Sequence, residues 1–181
     1  MASWTDAARR IRVPIGFVFA AYYLWRARPS WTSLVTGGAI AATGLVLRAY
    51  AAGYVRKGSE LTTTGPYAYT RNPLYLGSLI IAAGFVVAAR SLWIALAAAA
   101  IFLAIYLPVM RFEEQFLRSQ FPDFDDYAKR VPRLLPRLPA EAGPPGRFSW
   151  KLYGQHREYN AALGAATMLA ALIVKMVWLS R

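Results

Sequence analysis

The chain has 181 residues, 57% hydrophobic and 17% charged, with 21 lysines and arginines against 9 aspartates and glutamates. A soluble domain carries about 25% charged residues, and a disordered chain cannot be this apolar. Zero cysteines and the single His156 exclude a disulfide scaffold, a zinc finger, an iron–sulfur site and a cysteine nucleophile, and the length fits one domain over residues 1–181.

Five apolar blocks follow one another along the chain. The first runs from Val13 to Trp25, behind Arg9, Arg10 and Arg12. It competes with a cleaved signal peptide, but it ends in Tyr22-Tyr23-Leu24-Trp25-Arg26 and lacks a small-residue cleavage site, so a retained helix is expected. The second, Trp31 to Val55, is interrupted only by Arg48. The third, Pro73 to Ala89, and the fourth, Ser91 to Met110, are uncharged; the fifth, Ala161 to Leu179, contains Lys175. A spanning helix takes roughly 17–25 residues, and the blocks read as five transmembrane helices of an all-α polytopic bundle. Gly37-Gly38, Gly44 and the alanines of the fourth span read as close-packing helix surfaces.

The basic residues sort by segment. With the N-terminus inside, fifteen lie on the cytoplasmic side and four (Arg26, Arg28, Arg90 and Arg181) outside, which predicts a cytoplasmic N-terminus and a functional face in the cytoplasm. The net charge of +12 is then a topology signal, and nucleic-acid binding is not expected. Of the two basic residues inside spans, Arg48 is either a functional intramembrane charge or a side chain snorkelling to the headgroups, while Lys175 snorkels.

Two cytoplasmic segments are long enough to build a site, residues 56–72 and 111–160. In the first, Gly65-Pro66 marks a turn; Tyr67, Tyr69 and Arg71 share one side if the chain is extended. Asn72 then caps the third span with Pro73 at its first position, or else contacts a ligand. Arg71 either anchors a lipid phosphate or serves the site. In the second segment Arg111-Phe112-Glu113-Glu114 closes the fourth span. Arg111 and Glu114 are spaced to pair on a continuing helix, which leaves Glu113 free. A turn at Pro122 and a second short helix follow, and Val131 to Pro136 is extended because its two prolines exclude a helix. Residues 139–146 form a Pro/Gly-rich linker, and Arg147 to Glu158 lies along the membrane surface before the last span.

Gly65-Pro66-Tyr67, Arg71-Asn72-Pro73-Leu74-Tyr75-Leu76-Gly77, Glu113-Glu114, Phe121, Tyr127, Val131-Pro132-Arg133 and Pro136, in that order and spacing, resemble the isoprenylcysteine carboxyl methyltransferase family. The phospholipid N-methyltransferases are similar in the same region, and the resemblance covers core motifs within residues 45–138. It implies an integral membrane enzyme using S-adenosylmethionine, with the cofactor held between the fourth and fifth spans on the cytoplasmic face. Carried over by motif, Tyr67, Asn72, Pro73, Tyr75, Gly77, Glu113, Glu114, Tyr127, Val131, Pro132 and Arg133 border the cofactor, the last four of these as a lid. Two departures stand out. The family's Arg-His-Pro is Arg-Asn-Pro here, and a glycine of its Phe-Gly pair is replaced by Pro122. The final span is additional to the family core.

The implied reaction is methyl transfer to a lipid-like or membrane-partitioned acceptor entering sideways from the bilayer. A carboxylate acceptor needs no base, and Arg71, with Arg48 as a second candidate, would hold it. An amine acceptor, as in headgroup N-methylation, must lose a proton, and Glu113 is the candidate base; a thiol is a third option. A non-catalytic membrane scaffold is the alternative from a different class. No metal is expected.

Overall fold

The computed structural model describes residues 4–56, 60–138 and 146–179, the side chains of residues 4–13 and of Leu179 excepted. The side chains of Arg9, Arg10 and Arg12, together with Lys57, Arg181 and all of the predicted linker but Gly146, lie outside the described residues.

Among the described residues the chain is all-helical. Helix α1 is Trp4–Arg26, α2 Trp31–Ala52, α3 Pro73–Ala89, α4 Leu92–Gln120, α5 Phe124–Arg130, α6 Trp150–Gln155 and α7 Tyr159–Leu179. Three of them, α2, α4 and residues 159–178 of α7, are long and apolar enough to cross a membrane. Helix α3 is apolar but shorter, at 17 residues. The large side chains that would meet lipid stand exposed on these helices: Val35 and Val46 on α2, Leu92 and Trp93 on α4, Leu163, Val174 and Trp178 on α7.

Local chemistry explains the ends. Ser30 starts α2 with a reciprocal pair of bonds, Ser33 N–H donating to Ser30 Oγ (3.3 Å) and Ser30 N–H to Ser33 Oγ (2.9 Å). Pro73 occupies the first turn of α3, where its missing N–H costs nothing. The predicted fourth span does not stop at Met110; the same helix runs on to Gln120 and carries Glu113 and Glu114 out of the apolar region. It widens to a π-helical turn at Phe102–Tyr106, just before Pro108, which supplies no backbone donor to the turn behind it.

The tightest contact is between α2 and α3, and it is made by small residues. A Cβ on Gly44 would meet the Gly77 carbonyl at 2.6 Å, and one on Gly84 would meet the Ala41 backbone nitrogen at the same distance. Backbones this close are held by dispersion along a seam where glycines meet the opposite backbone and the side chains of Ala41, Arg48, Ile81 and Ala88. At the end where α1 runs into α2, Tyr23, Ala27, Leu34, Ala88, Ala89, Ile94 and Leu172 form the core, and Tyr23 donates to the Phe85 carbonyl (2.8 Å). There the ammonium of Lys175 binds the Leu24 and Trp25 carbonyls at the C-terminus of α1. At the opposite end Phe124, Tyr127 and Val131 pack with Leu61, Leu117 and Phe121 as a cap over the bundle.

Gly84→Val should lower stability by about 1–3 kcal/mol because the Ala41 backbone cannot move aside. Gly154→Ala, whose Cβ meets nothing within 4 Å, should not destabilise. Thermal unfolding midpoints in detergent report both.

Candidate active site

The end of the bundle under the cap holds a cleft of about 650 Å³. It is walled by the end of α2, the start of α3, the polar end of α4 and the start of α5. At its back is a buried carboxylate, Glu114, 7% exposed. Glu114 Oε1 accepts from Asn72 Nδ2 (3.0 Å) and lies 3.3 Å from Arg71 Nε, while Oε2 accepts from Arg133 Nε (2.9 Å) and sits 2.9 Å from its Nη2. A charge in that position is tolerable only because two guanidiniums and an amide surround it.

Around this node the segment after α5 is laid against the segment before α3. Arg71 N–H donates to the Pro132 carbonyl (2.9 Å), Arg137 N–H to the Tyr69 carbonyl (3.0 Å), and Thr70 Oγ1 to the Arg133 and Leu134 carbonyls. Asn72 Nδ2 also donates to the Arg133 carbonyl (3.0 Å), and Tyr127 O–H to the Tyr67 carbonyl (2.7 Å). Burial raises the phenols of both Tyr67 and Tyr127 well above their ordinary range, so both are neutral near pH 7 and neither acts as a base.

Several expectations change. Residues Gly65–Ala68 form a 3₁₀ turn rather than an extended strand, which buries Tyr67 and leaves Tyr69 42% exposed; the two tyrosines do not share a side with Arg71. Arg71 is no headgroup anchor, since its side chain is 12% exposed, its Nη1 donates to the Ala128 carbonyl (3.0 Å) and its guanidinium lies over the Phe124 ring. Asn72 is at the cap position of α3, but its side chain bonds Glu114 and Arg133 instead of the helix. Glu114 does not pair with Arg111, because helical geometry turns it inward while Arg111 is exposed. Arg48 does not snorkel; it is clamped by Glu158, with Nε and Nη2 donating to the two carboxylate oxygens (2.9 Å each). The segment from Phe148 to His156 docks on the end of α2, with Ser149 N–H on the Gly53 carbonyl and Phe148 stacked on Tyr50.

Of the residues singled out by sequence, Arg48, Tyr67, Arg71, Asn72, Pro73, Tyr75, Glu113, Glu114 and Tyr127 line the cleft. Gly77 lies outside it, in the α2–α3 seam against Arg48 and Gly44; Val131, Pro132 and Arg133 do not line it either, Arg133 binding Glu114, the Pro132 carbonyl accepting from Arg71 N–H and Val131 packing with Phe124 and Tyr127. Sequence reasoning missed Glu158, Ser78 and Tyr106. For Glu158 a signal was present: an acid directly before an apolar span needs a partner, and Arg48 is the unexplained charge. Tyr106 lies in the π-helical turn and had no such signal.

A second, apolar cavity of about 380 Å³ runs into the bundle, lined by α1, α3, α4 and α7. Arg48, Ser78 and Tyr106 line both cavities. The molecule is thus a membrane-type helix bundle whose polar cleft at one end adjoins an apolar chamber that is open to the outside.

A profile of the phospholipid methyltransferase family matches residues 29–123, from the start of α2 to the turn after α4. The chain belongs to this family of membrane methyltransferases, which includes the isoprenylcysteine carboxyl methyltransferase-like proteins. It is similar to the cobalt-zinc-cadmium resistance protein CzcN of Cupriavidus metallidurans, 36% identical over 158 residues, covering 83% of this chain and 72% of that protein. It is also similar to the nickel-cobalt-cadmium resistance protein NccN of Alcaligenes xylosoxydans xylosoxydans, 40% identical over 114 residues, covering 60% of this chain and 54% of the relative. The chain spans about half the length of NccN. No solved structure matches.

Glu114→Ala would strand two guanidiniums and an amide, and should cost about 3–5 kcal/mol, with less contributed by the 40% exposed Arg133. Unfolding of purified variants in detergent measures it, and a loss below about 1 kcal/mol would show that the node does not hold the cap.

Proposed function

We propose that the protein is an S-adenosylmethionine-dependent methyltransferase with five membrane spans, a cytoplasmic N-terminus and its cleft on the cytoplasmic face, acting on a carboxylate of a membrane-borne acceptor. The observation that carries this reading is the adjacency of the two cavities, one polar and one apolar, joined at Arg48, Ser78 and Tyr106. Methyl transfer to a lipid-borne group needs that pairing, because one reactant comes from water and the other from the bilayer.

The cleft fits the cofactor. Its volume is within the range of about 300–1,000 Å³ for small-molecule sites, and its lining mixes aromatic walls with charge. Arg48, Arg56 and Arg71 line it with four glutamates, Glu60, Glu113, Glu114 and Glu158, and Arg133 reaches Glu114 from outside, so charges of both signs are present for a ligand that carries an ammonium, a sulfonium and a carboxylate. Arg71 Nε is buried and has no aligned acceptor among the described residues, and a ligand carboxylate would supply one. Glu113 is exposed and lines the cleft, in place to take an ammonium or ribose hydroxyls. Tyr67, Pro73 and Tyr75 offer flat surfaces for a purine. When bound, S-adenosylmethionine would supply an activated methyl group on sulfur, whose transfer to a carboxylate acceptor would need no base. The chain aligns the reactants and excludes water, which is worth about 7–11 kcal/mol in well-oriented reactions. Arg71 lines the polar cleft alone, whereas Arg48 lines both cavities, so the acceptor's carboxylate is assigned to Arg48.

The second reading is N-methylation of a phospholipid headgroup amine, favoured by the family's description; Glu113 would then remove the amine proton. The names of the relatives add a setting, and we extend it to this chain: the methylated product contributes to tolerance of divalent metals. Loss of the gene should then lower growth in cobalt or cadmium.

Calorimetry with S-adenosylhomocysteine on the purified protein should show binding, and its absence with the fold intact would favour a scaffold. Glu113→Gln should weaken that binding about tenfold with unfolding unchanged. Radiolabelled cofactor incubated with membranes identifies the acceptor: a base-labile methyl ester supports the carboxylate, a base-stable labelled amine the headgroup reading.

A further inference from the structure

The Arg48–Glu158 pair is placed where an acceptor would have to sit. Arg48 is the one charged residue among those lining the apolar chamber, and it also lines the polar cleft. Its guanidinium is fixed from behind: Nη1 donates to the Leu74 carbonyl (3.2 Å) and to Ser78 Oγ, and Ser78 itself donates to the Leu74 carbonyl. That leaves the Nε–Nη2 edge, the planar fork that matches a carboxylate with two parallel bonds. Glu158 occupies that edge with both oxygens at 2.9 Å, its side chain 10% exposed.

Glu158 reaches Arg48 from outside the family-matched region, from the corner between α6 and α7. That corner is not relaxed. Arg157, directly before it, has φ 52°, a left-handed backbone that an ordinary side chain disfavours. The segment leading in is moored to the end of α2 by Ser149 on the Gly53 carbonyl and by His156 Nδ1, 3.2 Å from the Ala52 carbonyl. The chain thus holds a carboxylate, through a strained turn, on the only cation that lines the apolar chamber among the described residues.

We propose that Glu158 is a resident occupant of the acceptor's headgroup site: its carboxylate holds the place on Arg48 that the carboxylate of a long-chain acid takes, and it must swing off before that acid is seated. This rests on the methyltransferase reading only for what happens to the acid afterwards. The consequence is selectivity. A neutral lipid cannot displace Glu158 from Arg48, whereas an acid exchanges one ion pair for another and fills the chamber with its chain.

The test uses oleate and oleyl alcohol as probes on the full chain in phosphatidylcholine nanodiscs, with no methyl donor present. Glu158→Gln should bind oleate about tenfold more tightly than the natural chain, with oleyl alcohol unchanged, because an amide is a weaker competitor for the guanidinium than a carboxylate. Glu158→Asp keeps the charge and should stay near the natural affinity, which separates release of Arg48 from damage to the corner. Arg48→Met should abolish the preference for oleate over the alcohol. Equal gains for both probes in Glu158→Gln, or no gain for oleate, would overturn the proposal. Calorimetry with S-adenosylhomocysteine is independent: cofactor binding without the oleate pattern sinks this inference alone, and the oleate pattern without cofactor binding sinks the methyltransferase reading alone.

Discussion

A buried carboxylate has to be paid for with cations, and in this chain Glu114 draws three separate stretches of backbone together to meet that demand. Arg71 and Asn72 come from the approach to α3, Arg133 from the extended segment after α5, and Glu114 itself from the polar end of α4. The cap over the cleft exists because these partners must converge. The backbone bonds between residues 69–72 and 132–137 then follow from side chains already brought within reach. The cleft is what remains open beneath them.

The same node shows what Asn72 does in the Arg-Asn-Pro motif, where the resemblance leads one to expect histidine. Asn72 uses both amide hydrogens at once, one on Glu114 and one on the Arg133 carbonyl. A neutral imidazole carries a single N–H and cannot make both bonds unless it is protonated. The amide therefore holds the cap without tying it to the protonation state of a ring, and the departure is consistent with a site in which this residue positions others and does not move protons.

The helices and their order were legible because apolar block length is a strong physical signal: a span that is too short or too polar is not tolerated in lipid. The glycines of α2 were read as packing surfaces from their type alone, and Gly37 and Gly44 are used in the seam with α3 while Gly38 faces Leu169 of α7. The partners of the charges were not legible. Arg111 and Glu114 have the spacing of a helical pair, yet burial on the inner face of α4 outweighed that local preference, since Arg71 and Arg133 arrive from distant sequence. Arg48 and Glu158 are separated by 110 positions, and no periodicity links them. The extended reading of residues 67–71 failed because Gly65 adopts φ +59° and starts a tight turn.

The α2–α3 seam has a further consequence. Where the Gly44, Gly77 and Gly84 backbones meet, a hydrocarbon chain has no room to pass, so that side of the bundle is a closed wall. The other side is different: α1 and α7 are joined near Lys175 and Leu172, while toward the cleft they present Gly16, Ala20, Ala161, Gly164 and Ala165 around the apolar chamber. The bundle is therefore closed along the α2–α3 spine and fastened at one corner, while small residues of α1 and α7 border the apolar chamber on the other side.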